Sequence, residues 1–144
     1  MKILIICPDG LSTLIFCKTL CRILSEDYGY NVFTMSPEGL YKSELSKLDS
    51  THLPIKMCRW ISPYNDVVYL NSIYKIIKHE KFDQVLTFTT KPNIYGPLAA
   101  KLAGVPKIAT AIRGLGQAFN DRRGIKQYLL SSGVRLIAII LFDI

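Results

Sequence analysis

The sequence predicts an α/β domain built on a doubly wound, mainly parallel sheet with helices on both faces, and three observations carry that expectation. KILIIC at 2–7 is a continuous apolar run, the pattern of a parallel strand buried on both sides. Strand-like and helix-like segments then alternate along the chain, which implies right-handed βαβ crossovers. Finally, 144 residues with 49% apolar and 20% charged side chains fit a single globular domain. A chain of this size buries about 70% of the surface its unfolded form exposes, so its core needs no staples.

The elements follow in order. After the first strand, PDGLS supplies turn residues with Ser12 as N-cap, and Leu14, Ile15, Cys17, Leu20, Cys21 and Leu24 recur at helical spacing. The 28–30 segment carries a turn glycine, and NVFTMS at 31–36 reads as the second strand. PEGLYKSELSKLDS is polar and turn-rich, and LPIKM at 53–57 is a short strand candidate. From Asp66, the positions Val67, Leu70, Ile73, Tyr74 and Ile77 form an apolar stripe, with Lys75 and Lys78 on other faces. DQVLTFT at 83–89 is a strand. A helix begins near Pro92 or Asn93 and ends at Gly104, KIATAI at 107–112 is the last strand, and the tail is mostly helical.

Eighteen Lys and Arg against 11 Asp and Glu give a net charge of +7, which favours anionic partners such as phosphorylated metabolites or an acidic lipid surface. Nucleic acid is not expected, because the chain shows no RNP-like aromatic motif, zinc-finger spacing or dense basic helix. Cys7, Cys17, Cys21 and Cys58 form no disulfide framework or metal pattern, and Cys17 and Cys21, one helical turn apart, read as small core residues. His52 and His79 read as surface residues. Trp60 beside Arg59 is either a packed loop anchor or a stacking platform for sugar. No secretory leader pattern precedes KILIIC, and the LIAIILF run at 136–142 is shorter than the roughly 20 residues that cross a bilayer. A cytoplasmic location is therefore expected.

In a doubly wound sheet, ligands sit at the carboxyl ends of the strands. TTKPN leaves the end of one strand and RGLG at 113–116 the end of a later one, so both loops are expected to line one crevice. Pro92 suits a first helical turn and pushes Lys91 towards an extended conformation aimed at that crevice, unless Thr89, Thr90 and Asn93 only cap the helix. Gly114 and Gly116 permit close backbone approach, and the Arg113 fork suits a phosphate or carboxylate. RGLG is neither a Walker loop nor GxGxxG, and an ordinary turn accounts for it equally. Asp9 and Gly10 follow the first strand, where Asp9 either orients a hydroxyl or makes a local turn bond.

Together KILIICPDG, LSTLIFCKTL, GYNVFTMSP, TTKPNIYGPLAAKLAGVPKI and GLGQAF resemble the N-terminal half of family 4, GT-B-fold bacterial glycosyltransferases that build surface polysaccharides and lipid-linked oligosaccharides. TTKPNIYGPLAAKLAGVP and GLGQAF are the most specific parts. The resemblance implies a Rossmann-like domain that binds acceptor, with donor binding in a second domain whose paired glutamates have no match here. It places Thr89, Lys91, Asn93, Gly114 and Gly116 at the interdomain cleft, with Arg113 where many members carry histidine. It implies no metal and no cofactor.

On that basis residues 1–144 are expected to be one N-terminal domain, truncated within an element at VRLIAIILFDI. Its expected role is the acceptor-binding half of a transferase that moves sugar from a nucleotide sugar to a glycan or lipid-linked acceptor. The isolated chain is expected to be inactive, and no catalytic residue is named. The alternatives are a non-catalytic, membrane-docking partner subunit and a stand-alone binder of nucleotide or sugar phosphate. An anionic membrane surface on the inner face of the cell membrane is a further expected partner, reached through Arg122, Arg123 and Lys126 with Ile125, Tyr128, Leu129 and Leu130. Self-association through the apolar C-terminal end is expected as well.

Overall fold

A computed structural model describes residues 1–60 and 62–111. The elements run β1 (Lys2–Ile6), α1 (Gly10–Glu26), β2 (Asn31–Ser36), a 3-10 turn (Gly39–Tyr41), α2 (Lys42–Leu45), β3 (Thr51–Pro54), α3 (Pro63–Glu80), β4 (Gln84–Phe88), α4 (Thr90–Ala103) and β5 (Lys107–Ala111). All neighbouring strands pair in parallel, in the order β3-β2-β1-β4-β5. The helical tail, the basic segment at 122–130 and the apolar end expected from sequence lie outside the described residues.

Alternation along the strands divides the core into two layers. Leu4 and Ile6 of β1, Phe33 and Met35 of β2 and Val85 of β4 face α3 and α4, meeting Tyr69, Ile73, Ile77, Ala99 and Ala100. Ile3, Ile5 and Val32 face the other way, onto Cys17 and Cys21 of α1. Both faces of β1 are covered, which is why its sequence is apolar from Ile3 to Ile6. The two cysteines are fully buried packing residues, as their spacing implied.

Four local readings are corrected. The first helix starts at Gly10, not at Ser12: the Asp9 carboxylate accepts from the Ser12 backbone N at 2.7 Å and is the N-cap. The third strand is Thr51–Pro54 rather than 53–57, because its register is set by β2, pairing Phe33 with Thr51 and Ser36 with Pro54. α3 opens at Pro63 after Ser62, with proline in the turn where its missing donor is harmless. Its inward stripe is Asp66, Tyr69, Ile73 and Ile77, while Val67 is exposed. The helix is rotated so that Asp66, an acid, faces α4. Lastly, Lys91 is helical rather than extended, and the residue outside the helix is Thr89.

Gly96 fixes how closely α4 lies on the sheet. A Cβ there would stand 2.5 Å from Thr87 Cγ2 and 3.2 Å from Ile6 Cδ1, both in the packed interior. Gly96→Ala is expected to destabilise the fold by about 1–3 kcal/mol in urea unfolding, through overpacking. Adding Thr87→Ser, which removes the clashing methyl, is expected to recover part of that loss. An unchanged midpoint in the single variant would contradict this packing.

Candidate functional site

The strand order reverses between β1 and β4: the chain goes from β1 outward to β2 and β3, then returns to build β4 and β5 on the other side. In such sheets the crevice outside the carboxyl ends at this switch is where ligands bind. The segments leaving β1 and β4, and the end of β5, lie along this edge.

Lys91 occupies the first turn of α4. Its Nζ donates to the carbonyl oxygens of Cys58 at 2.6 Å and Trp60 at 2.8 Å, and pairs with Asp66 Oδ1 at 2.5 Å. With the two side chains only 16% and 9% exposed, this is a shielded ion pair rather than a surface one. The lysine therefore ties α4 to the first turns of α3 and to the loop after β3, neither waving in solvent nor pointing freely into the crevice. Burial alone would raise the Asp66 pKa, but the Lys91 hydrogen bond and charge, with bonds from the Ser62 backbone and the Tyr95 hydroxyl, bring it below the ordinary carboxylate value. Burial, with the charge and hydrogen bond of Asp66, pushes the Tyr95 hydroxyl up.

Asn93, two residues along, spans the ends of two strands. Its Oδ1 accepts from Thr87 Oγ1 at 2.7 Å, and its Nδ2 donates to the Ala111 carbonyl at 3.1 Å. It thereby sets where the chain leaves β5. Thr89 precedes the helix with φ 70° and ψ 174°, a region that is nearly glycine-only, and its side chain makes no cap hydrogen bond. A β-branched residue held there stores strain of about 1–3 kcal/mol, and such strain clusters at functional turns.

Asp9 makes the local bond that the turn reading allowed. Gly10 is buried, and a Cβ there would meet the Glu38 carbonyl at 2.9 Å, so glycine lets α1 start against the segment after β2. Arg113, Gly114 and Gly116 lie outside the described residues. The structure thus brings Thr89, Lys91 and Asn93 together at one helix start, with Asp9 and Gly10 at the start of α1.

Sequence reasoning missed Asp66 and Tyr95. The one available signal was an acid at an inward helical position, with tyrosine four residues beyond the motif lysine. One side chain differs from its surface reading: His52 is half-buried, with Nδ1 3.1 Å from Thr34 Oγ1, and burial lowers its pKa. Trp60 is exposed, which excludes the packed-anchor alternative. Burial pushes the Cys21 thiol up to about 11, which suits packing rather than nucleophilic chemistry. Among the described residues no three His, Cys, Asp or Glu side chains gather where they would share a metal ion.

Comparison with known proteins bears on the family and the fold. A profile of the family described as glycosyl transferase 4-like matches residues 2–142. A UDP-Gal:alpha-D-GlcNAc-diphosphoundecaprenol alpha-1,3-galactosyltransferase from Escherichia coli is 40% identical over 70 residues, which are 49% of this chain and 18% of the relative. Among solved structures, a glycosyltransferase from Rickettsia africae superposes with TM-score 0.62 and 23% identity, covering 82% of this chain and 32% of that one. The UDP complex of MnaA from S. aureus gives 0.65 and 20%, covering 99% and 38%. These similarities show the fold, a Rossmann-like half of the GT-B kind. The chain spans well under half the length of each of these proteins.

Lys91→Met is expected to lower stability by about 3 kcal/mol, because it leaves the Asp66 carboxylate shielded without its counter-charge. The Lys91→Met/Asp66→Asn pair is expected to lose less than the sum of the two single losses. Because the Asp66 pKa is depressed on folding, its stabilisation is fully present above the ordinary carboxylate range and is lost as pH falls through the folded value. Asp66→Asn should therefore flatten the acid limb of a urea-midpoint profile. Additive losses and an unchanged acid limb would show that the pair is not coupled.

Proposed function

Since the chain belongs to the glycosyl transferase 4-like family, we propose that it is the acceptor-binding half of a glycosyltransferase that moves sugar from a nucleotide sugar to a lipid-linked glycan. The observation that carries this reading is the 40% identity to the Escherichia coli galactosyltransferase, whose acceptor is a diphosphoundecaprenol-linked sugar. The carboxyl edge supports it physically. The start of α4 is rigidly held at the carboxyl ends of β4 and β5 by the Asn93 amide, next to the strained Thr89 turn. Hydroxyl-rich acceptors are recognised by fixed hydrogen-bonding groups of this kind.

In this reading the donor is held by a second domain, and the two halves close on the reacting centre. Stabilising the departing nucleotide phosphate is the large electrostatic contribution in such transfers, and it requires groups fixed in a closed, water-poor cleft. One wall alone does not supply them. The protein acts as a peripheral enzyme at the cytoplasmic face of the membrane, where lipid-linked acceptors lie. Among the described residues no helix is long and apolar enough to cross a membrane.

The purified chain, incubated with a panel of nucleotide sugars and undecaprenyl-diphosphate-linked acceptors, is expected to yield no glycosylated product by mass spectrometry. The same chain joined to a donor-binding half of the family is expected to yield it. Turnover by the chain alone would overturn the division of labour, and no turnover by the joined enzyme with any acceptor would overturn the transferase reading.

A further inference from the structure

Exposed large apolar side chains gather where the loop after β3 enters α3. Trp60 is 79% exposed, Tyr64 78%, Val67 66% and Val68 47%, all within nine positions of the chain. Isolated exposed apolar residues are ordinary, but a cluster containing tryptophan and tyrosine marks a surface built to be covered. The charge around it is one-sided. From 55 to 79 the sequence contains a single acid, Asp66, and that acid is buried against Lys91. The cations Lys56 and Arg59 are exposed in the same loop. Lys75 and Lys78, also exposed, continue the helical stripe that begins at Tyr64 and Val68.

The patch is held in place. Two of the three partners of the Lys91 ammonium are the carbonyls of Cys58 and Trp60, so the backbone carrying the exposed indole is fastened to the helix that starts at the candidate site. Presentation of a tryptophan on a fastened loop, at the sheet edge where acceptor is expected, links surface and site.

We propose that Trp60, Tyr64, Val67 and Val68, ringed by Lys56 and Arg59, dock the protein on an anionic lipid bilayer. The choice of a bilayer rests in part on the lipid-linked acceptor of the proposed function. It rests independently on chemistry: tryptophan and tyrosine seat an apolar body among acyl chains and a polar edge among headgroups, while lysine and arginine meet lipid phosphate. A protein partner fits less well, since lysine is depleted at the centre of such interfaces and an unrelieved positive rim would need a matching acidic surface. The docked orientation turns the carboxyl edge towards the membrane, so a polyprenyl-linked sugar reaches the start of α4 without leaving the bilayer.

The test is flotation of the whole chain with vesicles of phosphatidylglycerol and phosphatidylethanolamine, against vesicles of phosphatidylcholine alone. The wild type is expected to float with the anionic vesicles and to lose that binding at high salt. Trp60→Ser/Tyr64→Ser is expected to reduce partitioning about tenfold, the loss of two interfacial anchors. Arg59→Gln is expected to reduce it about fivefold on anionic vesicles and to leave the phosphatidylcholine result unchanged. Both variants alter exposed side chains, and an unchanged thermal midpoint confirms that they fold. Tyr28→Ser, an exposed residue near the amino edge of the sheet, should bind as the wild type does. Undiminished binding by the double variant would overturn the proposal, as would equal binding to both vesicle types, or loss of binding only on changing Arg122, Arg123 and Lys126. Concentration-dependent self-association abolished by the double variant, without vesicle binding, would assign the patch to a second copy instead. Vesicle binding requires no sugar transfer, so its failure removes the docking surface and leaves the acceptor reading standing.

Discussion

The carboxyl edge of this sheet depends on one buried ammonium. Lys91 satisfies its three donors with Asp66 and two backbone carbonyls, and each of those acceptors belongs to a part of the chain far from α4 in sequence. Removing a charge from water is costly unless the replacement geometry is complete, and here every donor finds an acceptor. The same contact lets Asp66 sit in the inward stripe of α3, a position otherwise reserved for apolar side chains. One interaction thus sets the rotation of α3, the course of the loop before it and the start of α4.

That fastening has a functional corollary. A lysine engaged by a carboxylate and two carbonyls has no donor left for a ligand in this arrangement, so at the start of α4 the crevice chemistry falls to uncharged groups. These are the Asn93 amide bridging β4 and β5, and the backbone around Thr89, whose positive φ is maintained by the surrounding packing. Gly96 completes the support by allowing α4 to press on Thr87 and Ile6. Stability and site are built from the same few residues, and the proposed acceptor-binding role asks for rigidity more than charge.

Much of the frame was legible from the residues because burial on both faces writes itself into continuous apolar runs, as at Ile3–Ile6 of β1. The end of α4 was legible because Gly104, at φ 80°, is the residue such a cap demands. β3 was misplaced because it is a short edge strand whose bounds come from pairing with β2, information that THLP does not contain. The stripe of α3 was right at Leu70, Ile73, Tyr74 and Ile77 but began at Val67 and left out Asp66, whose partner lies 25 positions away at Lys91. The TTKPN residues were named from their pattern, yet their orientation was invisible locally, since Lys91 bonds to carbonyls 31 and 33 positions distant. His52 likewise reads as a surface residue until β3 is laid beside Thr34.

The central claim is that the carboxyl edge at the switch between β1 and β4 receives the acceptor. Photo-crosslinking tests it most directly, using an undecaprenyl-diphosphate-linked N-acetylglucosamine that carries a diazirine on the sugar, with labelled peptides mapped by mass spectrometry. The account expects label in the segments leaving β1 and β4, around Asp9 and Thr89 to Asn93, competed by unmodified acceptor. Saturable label confined to the opposite edge, at the turns before β2, β4 and β5, would contradict it.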